Sequence, residues 1–305
     1  MGVIAARSTS ATLPATHRAL RVVLNANASG AKDEVPIQAL VALLRASGAD
    51  VELERTHSLD ELAAVCAMDD GRRVVLVGGD GTIHAAANLD HGPRELALIP
   101  AGRANNIAHS LGIPIDWHAA AELAVHGEVR PIDLIEAIAP SRRRLVVEGV
   151  SVGFLAQARV RYHGRNSADL LAGVRAGASA LARFHPLAAR VTSPQGGETL
   201  QLSQLFVANL PLYEFGLRVA PHANPVDATL DIVAIDAPTR RAVLGMLLDL
   251  RRGTHLGRPN VRTWRTPAAT IDTRGCSPIV ADSTDLGPGP VLLRAAPAAL
   301  RLVRP

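Results

Sequence analysis

The sequence feature that most constrains the fold is a short apolar run that leads straight into a glycine-rich turn. Val74–Val77 is uncharged and rich in valine, Gly78–Thr82 reads Gly-Gly-Asp-Gly-Thr, and the small residues from Ile83 to Asn88 are predicted to form a helix. Glycines tolerate positive φ angles and let backbone N–H groups approach a ligand. The order strand, glycine turn, helix therefore predicts a phosphate cradle at the carboxyl end of a parallel strand. A tight turn without a ligand is the alternative for this motif taken alone, and the absence of a Lys-Ser or Lys-Thr pair excludes a Walker loop.

Two further loops occupy the same kind of place, each at the end of an apolar run. Ile99–Ala108 leads into a helical stretch, and Asn25–Gly30 follows the first apolar run. Asn105 and Asn106 are also good helix-capping residues, which explains them without any ligand. Because the carboxyl ends of parallel strands share one edge of a sheet, the loops together favour a binding site.

The first part of the chain alternates apolar runs with amphipathic segments. The runs with the continuous apolar character of buried parallel strands are Leu20–Leu24, Val74–Val77 and Leu96–Ile99. Helices are predicted for Glu34–Ala46 and for Ser58–Ala67, where Ser58 and Glu61 have the spacing of a capping box. The alternation predicts an open α/β sheet for residues 19–137, after a flexible tail at residues 1–18.

The pattern changes after Asp133. Short β-rich runs separated by Gly, Pro, Asn and Asp are predicted to be strands, namely Arg144–Val147, Leu200–Val207, Leu230–Ile235 and Val291–Arg294. Two longer segments, Leu170–Phe184 and Thr239–Arg252, are predicted to be helices. We therefore expect a mostly β second domain at residues 138–289.

Composition and charge narrow the class of protein. Cys66 and Cys276 are the two cysteines, and their separation argues against a disulfide framework or a thiolate metal site and fits a reducing cytosol. No stretch reaches the roughly 18 to 20 apolar residues of a membrane-spanning helix. The net charge of +4 leaves contact with acidic lipid headgroups open, but aromatic residues are only 3% of the chain, too few for the stacking platforms of a nucleic-acid binder. We expect a cytoplasmic protein without a nucleic-acid partner, with peripheral contact at the inner face of the membrane.

A series of motifs extends along the chain. Its members are Asn25–Gly30, Gly78–Thr82, Gly102–Pro114, Glu148–Phe154, Asn209–Tyr213, Val219–Pro221 and Leu230–Val233. Their order and spacing resemble the diacylglycerol kinase catalytic family, particularly its bacterial lipid kinases, over nearly the whole chain from Arg21 to Pro305. For the fold, the resemblance implies an N-terminal nucleotide-binding domain similar to phosphofructokinases and NAD kinases. A β-sandwich domain follows, and residues 290–305 return to the first domain.

The resemblance also implies a cofactor and its contacts. ATP, with Mg²⁺, would lie between the two domains. The residues implied to cradle its phosphates are Gly78, Gly79, Asp80, Gly81 and Thr82, and those implied to contact the nucleotide or line its pocket are Asn25, Thr56 and Asn105. Arg103 stands where relatives carry threonine, and a guanidinium there is able to pair with phosphate.

The resemblance is weakest at the residues expected to carry out catalysis. Active relatives have Asp-Gly-Glu where this chain has Asp282-Ser283-Thr284, and the hydroxyl of Thr284 has no pKa suited to a general base. Asp282 is expected to accept or orient the proton of the lipid hydroxyl. Asp227 and Asp231 are retained from the segment that binds magnesium in relatives and are expected to hold Mg²⁺ here.

Three functions fit these observations. The first is an ATP-dependent lipid kinase that transfers the γ-phosphoryl group to a hydroxyl of diacylglycerol, a sphingoid base or a related lipid. The second is a pseudokinase that binds nucleotide or lipid as a regulatory module, which the residues at Thr284 and Arg103 favour. The third is a kinase of a soluble substrate, such as an NAD kinase, because NAD kinases share the glycine turn. The related kinases also suggest a homodimer.

Overall fold

The computed structural model describes residues 18–25, 36–68, 70–89, 95–162, 170–287 and 289–305. The tail predicted at residues 1–18 lies outside these ranges except for its last residue, and so does the loop Asn25–Gly30 except for its first residue. Residues 34 and 35, at the predicted start of the first helix, also lie outside the described residues.

The first domain is an α/β layer built on parallel strands. Its elements are β1 Arg18–Asn25, α1 Ile37–Ala46, β2 Ala49–Thr56, α2 Leu59–Ala67, β3 Arg73–Gly78, α3 Asp80–Ala86, β4 Glu95–Pro100, α4 Asn106–Leu111 and α5 Trp117–His126. The strands pair in the order β2-β1-β3-β4, all parallel. The apolar runs predicted to be buried strands are confirmed within β1, β3 and β4. They are apolar throughout because side chains on both faces of the sheet pack against helices.

The sequence signal at the start of α2 is confirmed. Ser58 Oγ accepts a hydrogen bond from Glu61 N–H at 3.1 Å, and the Glu61 carboxylate accepts one from His57 N–H at 2.7 Å. These bonds satisfy N–H groups that the first turn of a helix leaves unpaired, so the boundary of α2 was readable from local residues alone.

The second domain consists mostly of strands in two layers. The remaining elements are β5 Val129–Ala139, β6 Arg142–Val146, β7 Gly149–Gly153, α6 Phe154–Val160, α7 Leu170–Ala182, β8 Leu187–Ser193, β9 Gly196–Leu202, β10 Gln204–Ala208, β11 Leu212–Tyr213, β12 Leu217–Arg218, β13 Leu230–Ile235, α8 Arg240–Arg252, β14 Val261–Thr266, β15 Ala268–Asp272, β16 Ile279–Ala281, β17 Thr284–Asp285 and β18 Val291–Val303. One layer has the order β14-β13-β10-β7-β16-β17, and the other contains β18, β15, β8 and β9 together with β5 and β6. Their facing side chains share one apolar core, as in a β-sandwich.

The prediction of one continuous strand at Leu200–Val207 is wrong, because the segment forms parts of two strands, β9 and β10. Ser203 is fully buried and separates β9 from β10 at the point where the chain leaves one layer of the sandwich and enters the other. Its hydroxyl accepts a hydrogen bond from Ala237 N–H at 2.9 Å, which holds the corner. The apolar pattern continues through this corner because both strands face the same core.

Both helices predicted for the second domain are present as α7 and α8. Thr239 Oγ1 caps α8 by accepting a hydrogen bond from Ala242 N–H at 3.2 Å, and Gly253 ends it with a left-handed φ of 72°. Among the described residues, no helix is both long and apolar enough to span a lipid bilayer.

The strand β18 joins the two domains into one sheet. It pairs antiparallel with β15 and β5, and near its end Arg301 and Leu302 pair in parallel with Glu95 and Leu96 of β4. The strand predicted at Val291–Arg294 is therefore longer than expected, and its last part lies against the parallel strands of the first domain.

Candidate functional site

Two glycine loops meet backbone to backbone at the carboxyl ends of β3 and β4. A Cβ atom on Gly79 would lie 2.9 Å from Gly102 Cα, and one on Gly102 would lie 2.6 Å from Gly79 Cα, so neither position has room for a side chain. A Cβ atom on Gly78 would collide with the Thr82 side chain. None of Gly78, Gly79 and Gly81 has a positive φ angle, although glycine would allow one. Gly78 and Gly79 are needed for close approach instead.

The other predicted nucleotide contacts surround this turn. Asn25 and Thr56 are paired residues at the ends of β1 and β2. Asn25 Nδ2 donates a hydrogen bond to Thr82 Oγ1 at 3.4 Å, and Thr56 and Thr82 are buried. Arg103 is exposed on the second loop, next to Gly102. The structure therefore brings these polar groups to one edge of the parallel sheet.

The second loop is held in shape by Asn105, and helix α4 is capped by Asp80. Asn105 has a left-handed φ of 46°. Its side-chain amide accepts a hydrogen bond from Gly102 N–H at 3.0 Å and donates one to Gly102 O at 2.7 Å. The Asp80 carboxylate accepts hydrogen bonds from Asn106 N–H at 3.1 Å and from Ile107 N–H at 2.9 Å. The interpretation of the two asparagine side chains as the caps of this helix is therefore wrong.

Polar and ionisable side chains of both domains meet beside these loops and form what we call the interdomain cluster. Its members are His84 and Asn106 from the first domain and Glu148, Glu214 and Asp282 from the second. The Asn106 amide bridges the domains, since its Nδ2 donates to Glu148 Oε2 at 3.1 Å and its Oδ1 accepts from Gly216 N–H at 3.1 Å. His84 Nε2 lies 3.1 Å from Glu148 Oε1 and 3.7 Å from Asp282 Oδ1, at ion-pair distance but without the alignment of a hydrogen bond.

Burial and charge shift the pKa values within this cluster. Burial lowers the pKa of His84, but nearby carboxylates, chiefly those of Asp282 and Glu148, outweigh it and raise the pKa to about 9. Burial raises the pKa of Glu148, opposed by the adjacent His84. His84 is therefore an imidazolium at neutral pH, and its charge balances the carboxylates around it.

Asp282 reaches the cluster, but its carboxylate is already engaged. Its Oδ2 accepts a hydrogen bond from Val147 N–H at 2.9 Å, and its Oδ1 accepts from Glu148 N–H at 2.9 Å and Gly149 N–H at 3.3 Å. Asp282 is buried, and these bonds fix the turn that leads into β7. Thr284 lies in β17 and is partly exposed. The role of Asp282 in proton transfer stays a prediction.

The two residues predicted to hold magnesium lie at the same end of the second-domain sheet as Glu148, but an arginine pairs with both. Arg265 Nε lies 2.9 Å from Asp231 Oδ1, and Arg265 Nη1 lies 3.4 Å from Asp227 Oδ2. Asp227 Oδ1 also accepts hydrogen bonds from the N–H and the hydroxyl of Thr229. Within the described ranges, no three or more His, Cys, Asp or Glu side chains are grouped to hold a metal ion. This pair does not fit a resident Mg²⁺ while Arg265 occupies it.

The hairpin between β11 and β12 contributes a residue that the sequence did not indicate. Glu214, Phe215 and Gly216 have successive positive φ angles of 24°, 43° and 74°, a conformation that is unfavourable at the two non-glycine residues. Glu214 Oε1 is buried without a hydrogen bond, and Arg159 Nε on α6 is 3.8 Å away. Burial raises the pKa of Glu214 to about 7, against the lowering effect of Arg159. A carboxyl group whose pKa is raised to about 7 therefore lies in the hairpin that bonds to Asn106 through Gly216.

A cavity of about 670 Å³ lies elsewhere in the second domain. It is lined by the end of α6, by residues 183–188 and by the turn at residues 275–278. Ser277 Oγ in that turn accepts a hydrogen bond from Gly153 N–H at 3.1 Å. Since Gly153 ends β7 and Glu148 precedes its start, the cavity is not part of the interdomain cluster.

Comparison with known proteins shows the family. The family model of the diacylglycerol kinase catalytic domain matches residues 19–137, and that of the YegS C-terminal NAD kinase beta sandwich-like domain matches residues 148–304. The chain belongs to the diacylglycerol kinase family, which confirms the resemblance seen in the sequence motifs.

Relatives and solved structures agree with this assignment. A diacylglycerol kinase from Mycobacterium tuberculosis (strain ATCC 25618 / H37Rv) is 28% identical over 272 residues, which cover 82% of this chain and 82% of the relative. The crystal structure of a diacylglycerol kinase from Bacillus anthracis str. Sterne has a TM-score of 0.68 at 15% identity, covering 95% of this chain and 97% of that one. An NAD kinase from Archaeoglobus fulgidus in complex with ATP has a TM-score of 0.53 at 14% identity, covering 93% of each chain. The predicted fold class is confirmed.

Proposed function

We propose that the protein is an ATP-dependent lipid kinase that transfers the γ-phosphoryl group to a hydroxyl of a lipid such as diacylglycerol or a sphingoid base. The observation that carries the proposal is the placement of two closely packed glycine loops beside a buried cluster of ionisable groups from both domains. Membership of the diacylglycerol kinase family supports a lipid acceptor, and the fold shared with an ATP-bound NAD kinase supports ATP as the donor.

The first domain would bind the nucleotide. Gly79 and Gly102 carry no side chains of their own, so the two loops pack closely, and N–H groups of the turn that contains Gly79 would bond phosphate oxygens. Asn25 and Thr56 would bond to the nucleotide, and Arg103 would pair with a phosphate. Bound ATP supplies the electrophilic phosphorus. Because Asp227 and Asp231 are occupied by an arginine, we infer that Mg²⁺ is brought in with the nucleotide.

Proton acceptance is better assigned to Glu214 than to Asp282. Asp282 accepts backbone hydrogen bonds on both oxygens, whereas Glu214 Oε1 accepts none. The Glu214 hairpin is also tied to the second glycine loop, because Gly216 N–H donates to Asn106. A general base works best when its pKa lies near the operating pH, and the pKa of Glu214 does.

The transfer step then follows from these positions. The proton of the lipid hydroxyl passes to the Glu214 carboxylate while the lipid oxygen forms a bond to the γ-phosphorus. The bond from that phosphorus to the oxygen bridging the β- and γ-phosphates breaks, and ADP leaves with its electron pair. Glu214 afterwards releases the proton to water. His84 keeps the carboxylates of the cluster from repelling the phosphates, since its positive charge offsets theirs.

A label-transfer assay tests this proposal. The full protein is incubated with Mg²⁺, diacylglycerol or sphingosine, and ATP labelled at the γ-phosphorus, and label should appear in a chloroform-extractable product. ATP labelled at the α-phosphorus is the matched control and should leave the organic phase unlabelled, since that phosphorus stays in ADP.

The other candidate functions predict different results in the same assay. A pseudokinase would bind ATP in a calorimetric titration without labelling any lipid. A kinase of a soluble substrate would label NAD in the aqueous phase and leave the lipid unlabelled. Either outcome would overturn the proposal. A homodimer stays a prediction, checked by analytical ultracentrifugation.

A further inference from the structure

The exposed face of α8 carries apolar side chains where a surface helix usually carries polar ones. Leu244 and Leu248 are 53% and 49% exposed, and their separation of four residues puts them side by side on one face. The opposite face is anchored by Val243, Met246 and Leu250, which are buried in a core of the second domain. The two exposed leucines are therefore not needed to hold the helix in place.

Arginines flank these leucines at both ends of the helix. The exposed arginines, two at each end, are Arg240, Arg241, Arg251 and Arg252. Asp249, the one acidic residue of α8, pairs with Arg258 outside the helix. The outer face of α8 is therefore apolar in the middle and cationic at both ends.

An exposed aromatic side chain extends this face. Phe215 is 61% exposed at the tip of the hairpin between β11 and β12, and its carbonyl accepts a hydrogen bond from Arg251 Nη1 at 2.8 Å. Phe215 directly follows Glu214, so the apolar face reaches the proposed proton acceptor. We call Phe215, Leu244, Leu248 and the four arginines the α8 surface.

We propose that the α8 surface docks on an anionic lipid membrane. A helix that lies flat on a bilayer buries its apolar side chains at the boundary of the acyl chains, while long cationic side chains reach the phosphate groups. The two leucines and Phe215 supply the apolar part, and the four arginines supply the cationic part. Docking in this orientation would bring a lipid hydroxyl to Glu214, and this last step alone rests on the proposed function.

The charges argue against a second copy of this chain as the occupant. In a two-fold contact the α8 surface would face itself, so the arginines of one copy would lie against those of the other. Like charges placed together in this way disfavour association. Two leucines and one phenylalanine are also few for a stable protein interface, which buries roughly 800 Å² on each partner.

Vesicle co-sedimentation without ATP tests the docking surface directly. The full protein should bind vesicles of phosphatidylcholine mixed with phosphatidylglycerol and should bind pure phosphatidylcholine about tenfold more weakly or less. Leu244→Gln with Leu248→Gln should weaken binding to the anionic vesicles about tenfold. Arg241→Gln with Arg252→Gln should weaken it about 30-fold and reduce its dependence on salt, because each cation near an anionic surface contributes to binding.

Matched variants elsewhere on the surface control for general effects. Leu59, at the start of α2, is 63% exposed, and Leu59→Gln makes the same chemical change outside the α8 surface. Arg142→Gln with Arg190→Gln removes two exposed charges from strands of the other layer. Both controls should bind the anionic vesicles as the wild type does. Because Thr239 and Gly253 cap α8 independently of the leucines, thermal unfolding of the leucine variant should match the wild type.

The outcomes separate this inference from the proposed kinase activity. Equal binding by the leucine variant and the wild type would overturn the docking surface, as would a concentration-dependent dimer that the leucine substitutions convert to a monomer. Phosphorylation of a short-chain diacylglycerol in solution should be equal in both proteins, whereas phosphorylation in vesicles should fall in the leucine variant. Vesicle binding with no phosphorylation of either lipid would overturn the proposed function and leave the docking surface standing.

Discussion

On the first-domain side of the site, the backbones of two loops pack against each other. The second-domain side is instead built from buried charged groups. Gly79 and Gly102 bring two loops into contact, and Asp80 ties those loops together through N–H groups. On the other side, Glu214 has a strained backbone and a pKa near neutrality. The first side therefore depends on shape, while the second depends on protonation and should respond to pH.

Removing the charge of Glu214 should have the largest effect on the second-domain side. Glu214→Gln keeps the size of the side chain and removes the proton acceptor, so we expect kcat to fall about 100- to 10,000-fold with ATP affinity nearly unchanged. The wild-type rate should rise with pH through about 7, where Glu214 loses its proton, and this rise should be absent in the variant. Steady-state kinetics over a pH series measures both.

Two variants sharpen that result. The charged groups that face Glu214 are Arg159, Glu148, His84 and Asp282. Arg159→Met removes the charge that lowers the pKa of Glu214, so the rise in rate should move to higher pH. Glu198→Gln, at a surface glutamate paired with Arg262, should leave the profile unchanged. An unaltered kcat in Glu214→Gln would contradict the assignment of Glu214.

His84 should make stability depend on pH. Its pKa is raised from 6.5 to about 9 in the folded state, so its contribution is complete below the unfolded value and is lost as pH rises through about 9. In the wild type, the unfolding free energy should therefore fall by an amount on the order of 3 kcal/mol as pH rises from 6.5 to about 9. His84→Gln should remove this fall. Urea denaturation at several pH values measures it. His126→Gln, at an exposed histidine near Glu122, should keep the wild-type slope.

The glycine contact tests the first-domain side. In Gly79→Ala the new methyl group would meet Gly102 backbone atoms, and overpacking of this kind costs roughly 1 to 3 kcal/mol. We expect ATP affinity to fall by about 5- to 150-fold in calorimetric titration. Gly177→Ala, on α7 of the second domain, is the matched control, since a Cβ atom there meets nothing within 4 Å, and its ATP affinity should stay at the wild-type value. Equal affinities in the two variants would show that the loop contact is not needed for binding.

Asp80 should contribute a smaller amount through helix α4. Asp80→Ala removes two hydrogen bonds to the start of this helix, and we expect the unfolding free energy to fall by about 1 to 2 kcal/mol together with a loss of ATP affinity. Asp116→Ala removes the corresponding cap of α5 and should lower stability without changing ATP affinity. Chemical denaturation and calorimetry distinguish the two effects. Normal ATP affinity in Asp80→Ala would show that the helix cap does not position the loops.

The smallest effect is expected at Thr284. Because Glu214 already accepts the proton in the proposed mechanism, Thr284→Glu should change turnover by less than about threefold. The label-transfer assay at saturating ATP measures this change. A gain of about tenfold or more would return the role of proton acceptor to the segment of Asp282 and Thr284.

The first-domain side was predictable because its determinants are local. The apolar run before Gly78–Thr82 and the Ser58–Glu61 capping box are each contained in a few consecutive residues. The cap of α4 could not be predicted in the same way, because the capping residue Asp80 lies 26 residues before Asn106. Asn105 has the residue type of a cap and stands at the right position, so local sequence pointed to Asn105 instead.

The second-domain side was less predictable because its chemistry depends on burial and on distant contacts. Glu148 and Asp282 are 134 residues apart, and only folding places the carboxylate of one on the backbone of the other. The pKa of Glu214 is raised to about 7 by burial, and the burial of a side chain cannot be read from its residue type. The sequence signal that could have indicated these site residues is an ionisable residue inside an otherwise apolar motif, as at Glu148 and His84.

Because Arg301 pairs with Glu95, β4 receives its second neighbour only after nearly all of the intervening chain has been synthesised. Until β18 leaves the ribosome, one edge of β4 has no strand beside it, and an unpaired edge is open to association with other chains. Closing so long a loop also makes folding slow, since contacts distant in sequence form late. The same strand that joins the domains therefore couples their folding in time, and the nascent protein spends much of its synthesis with an incomplete sheet.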